Sequence, residues 1–537
     1  MQRYQFGLSR VIPPAGPSPE AVADETASVP DVRLEIRGGG RPGHAGARVL
    51  SRLTAPVVGR ASIQPTPDGS LLGQSVAAWQ RASRAELGWP LENPLVMSGH
   101  QPGAWHPGVL AKYALLAALA ETGDVAVADV LVEQDDGAPL EMEIPIRDER
   151  TAGLGVARIS WASVPGDRAL GFRPPSAVRT AEAAGLGPFE TVPAGAADRV
   201  AALGRALAAA DGPTLAEQVR AANISVLPEQ LRPPAARTTG AILATEFGRA
   251  LVAAMVDDPW GAARAYNTAV RAVAAAGGPR LTELHVRDDF VELPLWRVSP
   301  DGQRRRADDV DAAAWLEGGG AASTAIGASG DVLRPRALLL TAIVRLGIAD
   351  VFVHGTGGGA YDEVMERWVA LWLGVLVPPC VVCTADLRLP GAGRGPSLAE
   401  RDARVAEAHR VWHDPEADDL DGRRIVPERT DRRRGASSHP PERRPGPTKR
   451  ELLAEIDRLP RGSRARRSAY RLMHDQLASL RGVHVGRVES AVRRARAAVR
   501  GWEDARILAR RDWPAIVHPP ASLERLATVI KDRVKVD

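Results

Sequence analysis

Cysteine is nearly absent from this chain: there are two in 537 residues, Cys380 and Cys383. Two thiols so close together cannot brace a fold of this size, so no disulfide framework exists. A lone C-x-x-C supplies at most half of a zinc site. A redox pair normally opens a helix, whereas Val381 and Val382 belong to β-branched sequence. Period two sets the two cysteines on opposite faces of a strand, so they read as buried structural residues, and no metal site is expected. Aromatic residues make up only 4% of the chain, which leaves Ala, Val and Leu to build the core. Lysine is rarer still, confined to Lys112, Lys449, Lys531 and Lys535 among 69 basic residues. Arginine therefore dominates throughout, and Arg-rich runs carry little information by themselves.

Long apolar runs are missing as well. The longest, 368–382, contains Pro378 and Pro379 and is too short to span a bilayer. The opening residues, 1–7, lack the apolar stretch of a signal peptide. A cytoplasmic setting and no membrane partner are expected. The net charge of +4 is small for the length. The arginine clusters at 432–434, 443–444 and 464–467 have no aromatic interleaving, so no nucleic-acid partner is expected.

What is present is ordinary globular composition, 45% hydrophobic and 25% charged, with length for two to four domains. Residues 1–90 are spaced by Pro and Gly and read as an irregular or α+β segment with a helix near 72–87. Residues 91–150 read as an α/β unit: a strand at 95–97, a helix at 109–121 and a strand at 125–132. That order points to a parallel, doubly wound sheet. Residues 151–330 read as an inserted, mainly helical connecting region, with a strand-like piece at 284–296 and a turn at 300–302. The sheet resumes at 331–390, with a helix at 336–346, a strand at 349–353, a glycine-rich turn at 354–360, a helix at 361–373 and a strand at 380–383. Residues 391–450 read as a linker with one polar helix at 397–412, and 431–449 is expected to be disordered. Residues 451–537 read as a helical arm. There Val488, Val492, Ala495, Val499 and Trp502 alternate by four and three, the spacing of a coiled-coil seam; the seam is short and Ala-rich and reads as a helical hairpin, with a homodimer through these helices as the alternative. The fold class is α/β: a Rossmann-like parallel-sheet core split by an inserted segment, with a C-terminal α-helical, coiled-coil-like arm.

Four constellations could carry chemistry. Gly99, His100, Gln101, Gly103 and His106 crowd one loop between strand and helix, and Lys112 follows inside the helix. Imidazole and amide groups beside a helix N-terminus suit a phosphate or carboxylate. Glu133, Gln134, Asp135 and Asp136 follow the next strand, where carboxylates could grip an amine or a sugar or act as a base. His354, Gly355, Gly357 and Tyr361 belong to a glycine-rich turn that would let backbone approach a ligand. Arg334 and Arg336 stand just before a helix, suited to an anion by their fork geometry. These loops should converge at the carboxyl edge of the sheet. His100, His106, Asp135, Asp136 and His354 are the catalytic candidates, and the others bind substrate or nucleotide. Asp512 and Trp513 read as packing.

Three of these elements resemble the bacillithiol synthase family in order and context. That family has a Gly-Gln-Gln-Ala-Gly loop running into Gly-Pro and a helix; here Gly99-His100-Gln101-Pro102-Gly103 and Pro107-Gly108 occupy those places. Its strand ending Glu-Asp-His-Asp corresponds to Glu133-Gln134-Asp135-Asp136. Its Arg-Pro element and its Gly-Gly-Pro-Gly-Glu-Ile-Ala-Tyr-Trp segment correspond to Arg334-Pro335 and to 354–362. This chain differs at His100, Asp135, Gly358 and Asp362, all facing the expected site. The resemblance implies a ligase that adds an amino acid, cysteine in the family, to a sugar-containing acceptor in low-molecular-weight thiol biosynthesis. It also implies a nucleotide such as ATP or ADP and a small-molecule substrate. The alternatives are a nucleotide-dependent transferase or ligase on a class I synthetase-like core, and a non-catalytic scaffold that retains the fold.

Overall fold

Apolar alternation decides which side of the central sheet each residue faces. In the first strand after the N-terminal region, Leu95 and Met97 enter one core and Val96 enters the other. The computed structural model describes residues 30–37, 70–148, 153–162, 166–180, 184–185, 190–377, 380–415 and 449–535. Residues 431–448, expected to be disordered, lie outside them.

The chain begins with β1 (Asp31–Arg37), α1 (Val76–Leu87), β2 (Leu95–His100), α2 (Pro107–Ala120) and β3 (Ala126–Leu131). A hairpin follows, β4 (Glu141–Asp148) with β5 (Gly153–Ser160), then α3 (Ala196–Ala209) and α4 (Leu215–Val226). Next come β6 (Ala236–Thr238), α5 (Thr239–Leu243), α6 (Glu246–Asp257) and α7 (Pro259–Ala275). After them run β7 (Val286–Arg287), β8 (Phe290–Val298), β9 (Arg304–Asp308), α8 (Asp309–Glu317) and β10 (Val332–Pro335). The second half of the sheet brings α9 (Ala337–Gly347), β11 (Val351–His354), α10 (Thr356–Leu373) and β12 (Cys380–Asp386). The remainder is helical: α11 (Leu398–His413), α12 (Lys449–Arg458), α13 (Arg464–Val483), α14 (Val485–Leu508) and α15 (Pro520–Lys535).

The main sheet runs β1-β12-β11-β2-β3-β6. Five strands are parallel, and β1 adds an antiparallel edge on β12. Counting only the parallel strands in chain order, their spatial order is third, second, first, fourth, fifth. The direction of travel therefore reverses between β2 and β11. Residues 151–330, read from sequence as one helical connecting region, divide in the structure. β6 is the third parallel strand of the main sheet, and β7 to β10 form a separate antiparallel sheet.

Cys380 and Cys383 do lie on opposite faces, since Cys383 joins the core under α2 and its thiol donates to the Ala111 carbonyl at 3.2 Å. Helix α2 is apolar all round because it is covered twice, by the sheet and by α15. The arm's seam is covered within the chain. Val488 and Ala491 pack with Val411 of α11, and the Trp502 ring lies between the Arg401 and Arg506 guanidiniums at 4.1 and 4.8 Å. Among the described residues no helix is long and apolar enough to cross a membrane.

Candidate functional site

Parallel strands end together, so the loops that leave them start together. Gly99 stands opposite Val130, His100 opposite Leu131, Leu131 opposite Thr238 and Val353 opposite Ser98. Neighbouring strands are about 4.8 Å apart, so the turns after β11, β2, β3 and β6 emerge side by side. Three of them are the loops singled out in the sequence. The fourth, entering α5, was not.

The loop after β2 is tied down on several sides. The Trp105 indole donates to the Gln101 carbonyl at 2.9 Å, Asn223 of α4 donates to the Gly103 carbonyl at 3.2 Å, and the Ala515 amide donates to the Trp105 carbonyl at 2.7 Å. His106 caps α2: its Nδ1 accepts from the Gly108 amide at 3.1 Å. Burial pushes the His100 imidazole down to about 3, with Lys112 adding to the effect. His106 is lowered by burial first and by Arg511 next. Both rings are therefore neutral near pH 7 and poor bases there, suited to share a hydrogen bond rather than to take up a proton. Lys112, expected to meet a ligand, is buried instead and donates to the Gly99 carbonyl at 2.8 Å. Burial lowers its ammonium to about 8, against the pull of Asp129. Its role is to hold the loop from beneath.

The loop after β3 is engaged with the second sheet. Glu133 accepts from Arg334 Nε at 2.8 Å and from the Gly240 amide at 3.2 Å. Gln134 accepts from the Thr239 hydroxyl at 2.6 Å and donates to the Pro335 carbonyl at 3.2 Å. Arg304 pairs with Asp136 and stands 3.6 Å from Asp135. Burial raises the Asp135 carboxyl, with Arg304 opposing. The Trp296 ring is flanked by Arg304 at 5.1 Å and Arg336 at 4.6 Å, and Arg336 reaches the buried Glu292 at 2.5 Å. Arg334 and Arg336, read as anion binders, are thus already held by Glu133 and Glu292. Nothing in the sequence near either arginine named those partners.

The turn after β11 is shorter than the sequence suggested. Only Gly355 lies outside the helix, and α10 starts at Thr356 rather than at Tyr361. Its N-cap, Gly355, offers no side chain to the first turn. Thr356 and Gly357 are exposed, and a Cβ on Gly355 or Gly357 would meet nothing within 4 Å. Gly358 and Gly359 serve close packing instead. A Cβ on Gly358 would lie 2.5 Å from His354 Nδ1, and one on Gly359 would lie 2.4 Å from Val382 Cγ2. Gly359→Ala is expected to lower stability by ~1–3 kcal/mol through overpacking. Gly357→Ala should leave it unchanged or raise it, since alanine is the better helix former by ~0.8–1 kcal/mol in a helix interior. Urea unfolding midpoints compare the two; equal shifts would refute this division of labour among the glycines.

His354 faces inward. Its ring is 6% exposed, stands edge-on to Phe352 at 4.6 Å and brings Nε2 to 2.6 Å from Asp362. Asp362 also meets Arg345 at 2.6 Å, and Arg345 reaches Glu366 at 2.7 Å. Burial favours a neutral Asp362, but His354 and Arg345 outweigh it and hold the carboxyl below its usual range. Sequence reading missed this network, although one signal was available: Arg345 is a lone charge in the apolar run of α9. Tyr361 is half-exposed on the outside of α10.

A second buried pair underlies the same loops. Asp129 of β3 is fully buried and meets Arg220 of α4 at 2.5 Å. Burial raises its carboxyl to about 6 against Arg220 and Lys112.

The chain matches no protein-family profile and no curated protein sequence. The functional reading therefore rests on the edge itself. It offers an uncapped helix N-terminus, two neutral imidazoles and two carboxylates beside one arginine, all on loops anchored by buried contacts. A hollow of about 310 Å³ between α2 and α15, lined by alanines together with Glu121, Gln230, Glu524, Thr528 and Lys531, opens further along α2 and holds none of these groups.

Proposed function

We propose that this chain is a bacillithiol synthase-like ligase on a Rossmann-like core, joining an amino acid to a sugar-containing acceptor that bears a carboxylate. The observation that carries this reading is the uncapped N-terminus of α10 beside the His100 loop, where the order of the parallel strands reverses. Ligands of open α/β sheets settle at such a reversal, and helix N-termini favour anions. Thr356 and Gly357 would present backbone N–H groups to the acceptor's carboxylate. His100 and His106, both neutral, would orient the reacting groups. The amino acid would enter with its carboxyl already activated, so that the acceptor's amine displaces the activating group as the amide bond forms and Asp135 takes the amine proton.

The site fits one anionic group better than a nucleotide triphosphate. The cationic side chains that ATP or ADP would need are turned elsewhere: Lys112 to Gly99, Arg334 to Glu133 and Arg336 to Glu292. No step is assigned to a nucleotide. Since α11 covers the seam of α14, dimerisation through it is not part of the proposal.

Thermal unfolding of the full chain with an aminosugar malate, cysteine, ATP or ADP tests the reading. Ligand at a hundred times its Kd adds ~2.7 kcal/mol, so the aminosugar malate should raise Tm by several degrees. The His100→Ala/His106→Ala variant should lose that shift. Stabilisation by ATP alone would favour a different transferase, and no shift with the aminosugar malate would overturn the assignment.

A further inference from the structure

His354, Asp362 and Cys380 come from three elements, β11, α10 and β12. Each offers one ligand atom, and the three atoms lie within 4.8 Å of one another. All three residues are buried, at 6%, 2% and 1% exposure. An imidazole nitrogen, a carboxylate oxygen and a thiolate form a donor set for zinc and similar borderline metals. We propose that this cluster is a transition-metal site, of zinc type, beneath the first turn of α10. The proposal stands apart from the ligase reading and does not depend on it.

Three observations support it. First, His354 Nε2 and the Asp362 carboxylate are held 2.6 Å apart with the Cys380 sulfur beside them, a gathering that either a proton on His354 or a shared metal ion would satisfy. With Zn–N and Zn–O near 2.0 Å and Zn–S near 2.3 Å, ligand atoms of a tetrahedral shell stand roughly 3.3–3.7 Å apart. Small side-chain rotations would reach that spacing from here. Second, charge balances. With a neutral imidazole, Arg345, Asp362 and Glu366 leave one negative charge, and a dication bound with the Cys380 thiolate brings the cluster to zero. Third, Asp362 has the supporting contact a ligand needs. Arg345 holds it at 2.6 Å and is itself held by Glu366, the outer arrangement that fixes ligating carboxylates. With three protein donors, the fourth position falls to water or to an anion.

A proton on His354 would balance the same charge, so metal content decides between the two. Tag-free full chain is incubated with Zn²⁺ or Co²⁺, desalted and analysed by plasma mass spectrometry. About one metal per chain is expected, with a thiolate-to-cobalt charge-transfer band in the Co²⁺ form. Cys380→Ser should abolish that band and weaken metal retention at least tenfold while circular dichroism stays unchanged. If Cys380→Ser fails to fold, the wild-type Co²⁺ spectrum still decides. Substoichiometric metal in the wild type, or a Co²⁺ spectrum without the thiolate band, overturns the proposal.

Discussion

Arg345→Met is expected to destabilise the protein by about 3–5 kcal/mol, the cost of breaking a buried ion pair and leaving Asp362 with His354 as its remaining partner. Arg345 is 2% exposed and is the arginine that meets Asp362, itself 2% exposed. Two comparisons sharpen the test. Glu366, at 25% side-chain exposure, is the outer end of the network, so Glu366→Gln should cost no more than ~1 kcal/mol. Replacing both inner partners, Arg345→Met with Asp362→Leu, should recover part of the loss, because an apolar pair of similar volume is often as stable as a buried ion pair. Urea unfolding measures all three. A loss below ~1 kcal/mol for Arg345→Met would show that the network is peripheral to stability.

The second large effect is loss of stability in acid. His518 is fully buried, and neither ring nitrogen makes an aligned hydrogen bond, although the Trp513 carbonyl lies near. Burial drops its pKa from 6.5 to about 3, with Arg199 and His106 adding to the shift. A base whose pKa is depressed on folding stabilises the protein fully above its unfolded value and loses that contribution as pH falls toward the folded one. The window runs from 6.5 down toward 3, at ~1.4 kcal/mol per unit. His100 acts in the same direction but keeps part of its ring in solvent, so it weighs less. Asp129 has the opposite sign. Its raised pKa gives stability below 3.8 that is lost as pH rises through about 6, which offsets part of the histidine effect. The net expectation is a falling Tm below pH 6.5. His518→Leu should flatten that fall and leave Tm at pH 7 unchanged or higher. An identical pH dependence in the variant would remove His518 as the cause.

The parallel strands were legible where burial on both faces made them almost wholly apolar, as in 95–97, and in 125–132 and 349–353 with one aspartate each, Asp129 and Asp350. β6 was not legible, because three residues, Ala236–Thr238, carry no period. The start of α10 was misread because consecutive glycines signal a turn. Here Gly358 and Gly359 are small so that a helix can press against His354 and Val382, a demand set by tertiary packing. The candidate loops could be read from their polar residues at strand ends. The engagement of Arg334 and Arg336 could not, since Glu133 lies 201 positions from Arg334 and Glu292 lies 44 from Arg336. The opposite-face placement of the two cysteines followed from strand periodicity alone. The gathering of Cys380 with His354 and Asp362 required the crossing of α10 over β11 and β12.

The outer edge of the sheet sets a timetable for biosynthesis. β1 must wait for β12, from Asp31 to Asp386, before it gains a hydrogen-bonding neighbour. Arg533 of α15, 501 residues further along, then donates to the Val32 carbonyl. During translation the first strand therefore emerges long before anything can pair with it. It remains without a hydrogen-bonding neighbour, open to wrong partners or to chaperones, until β12 has emerged. A chain that stops before residue 520 lacks α15, so α2 keeps the sheet on one side and exposes the apolar side that α15 covers.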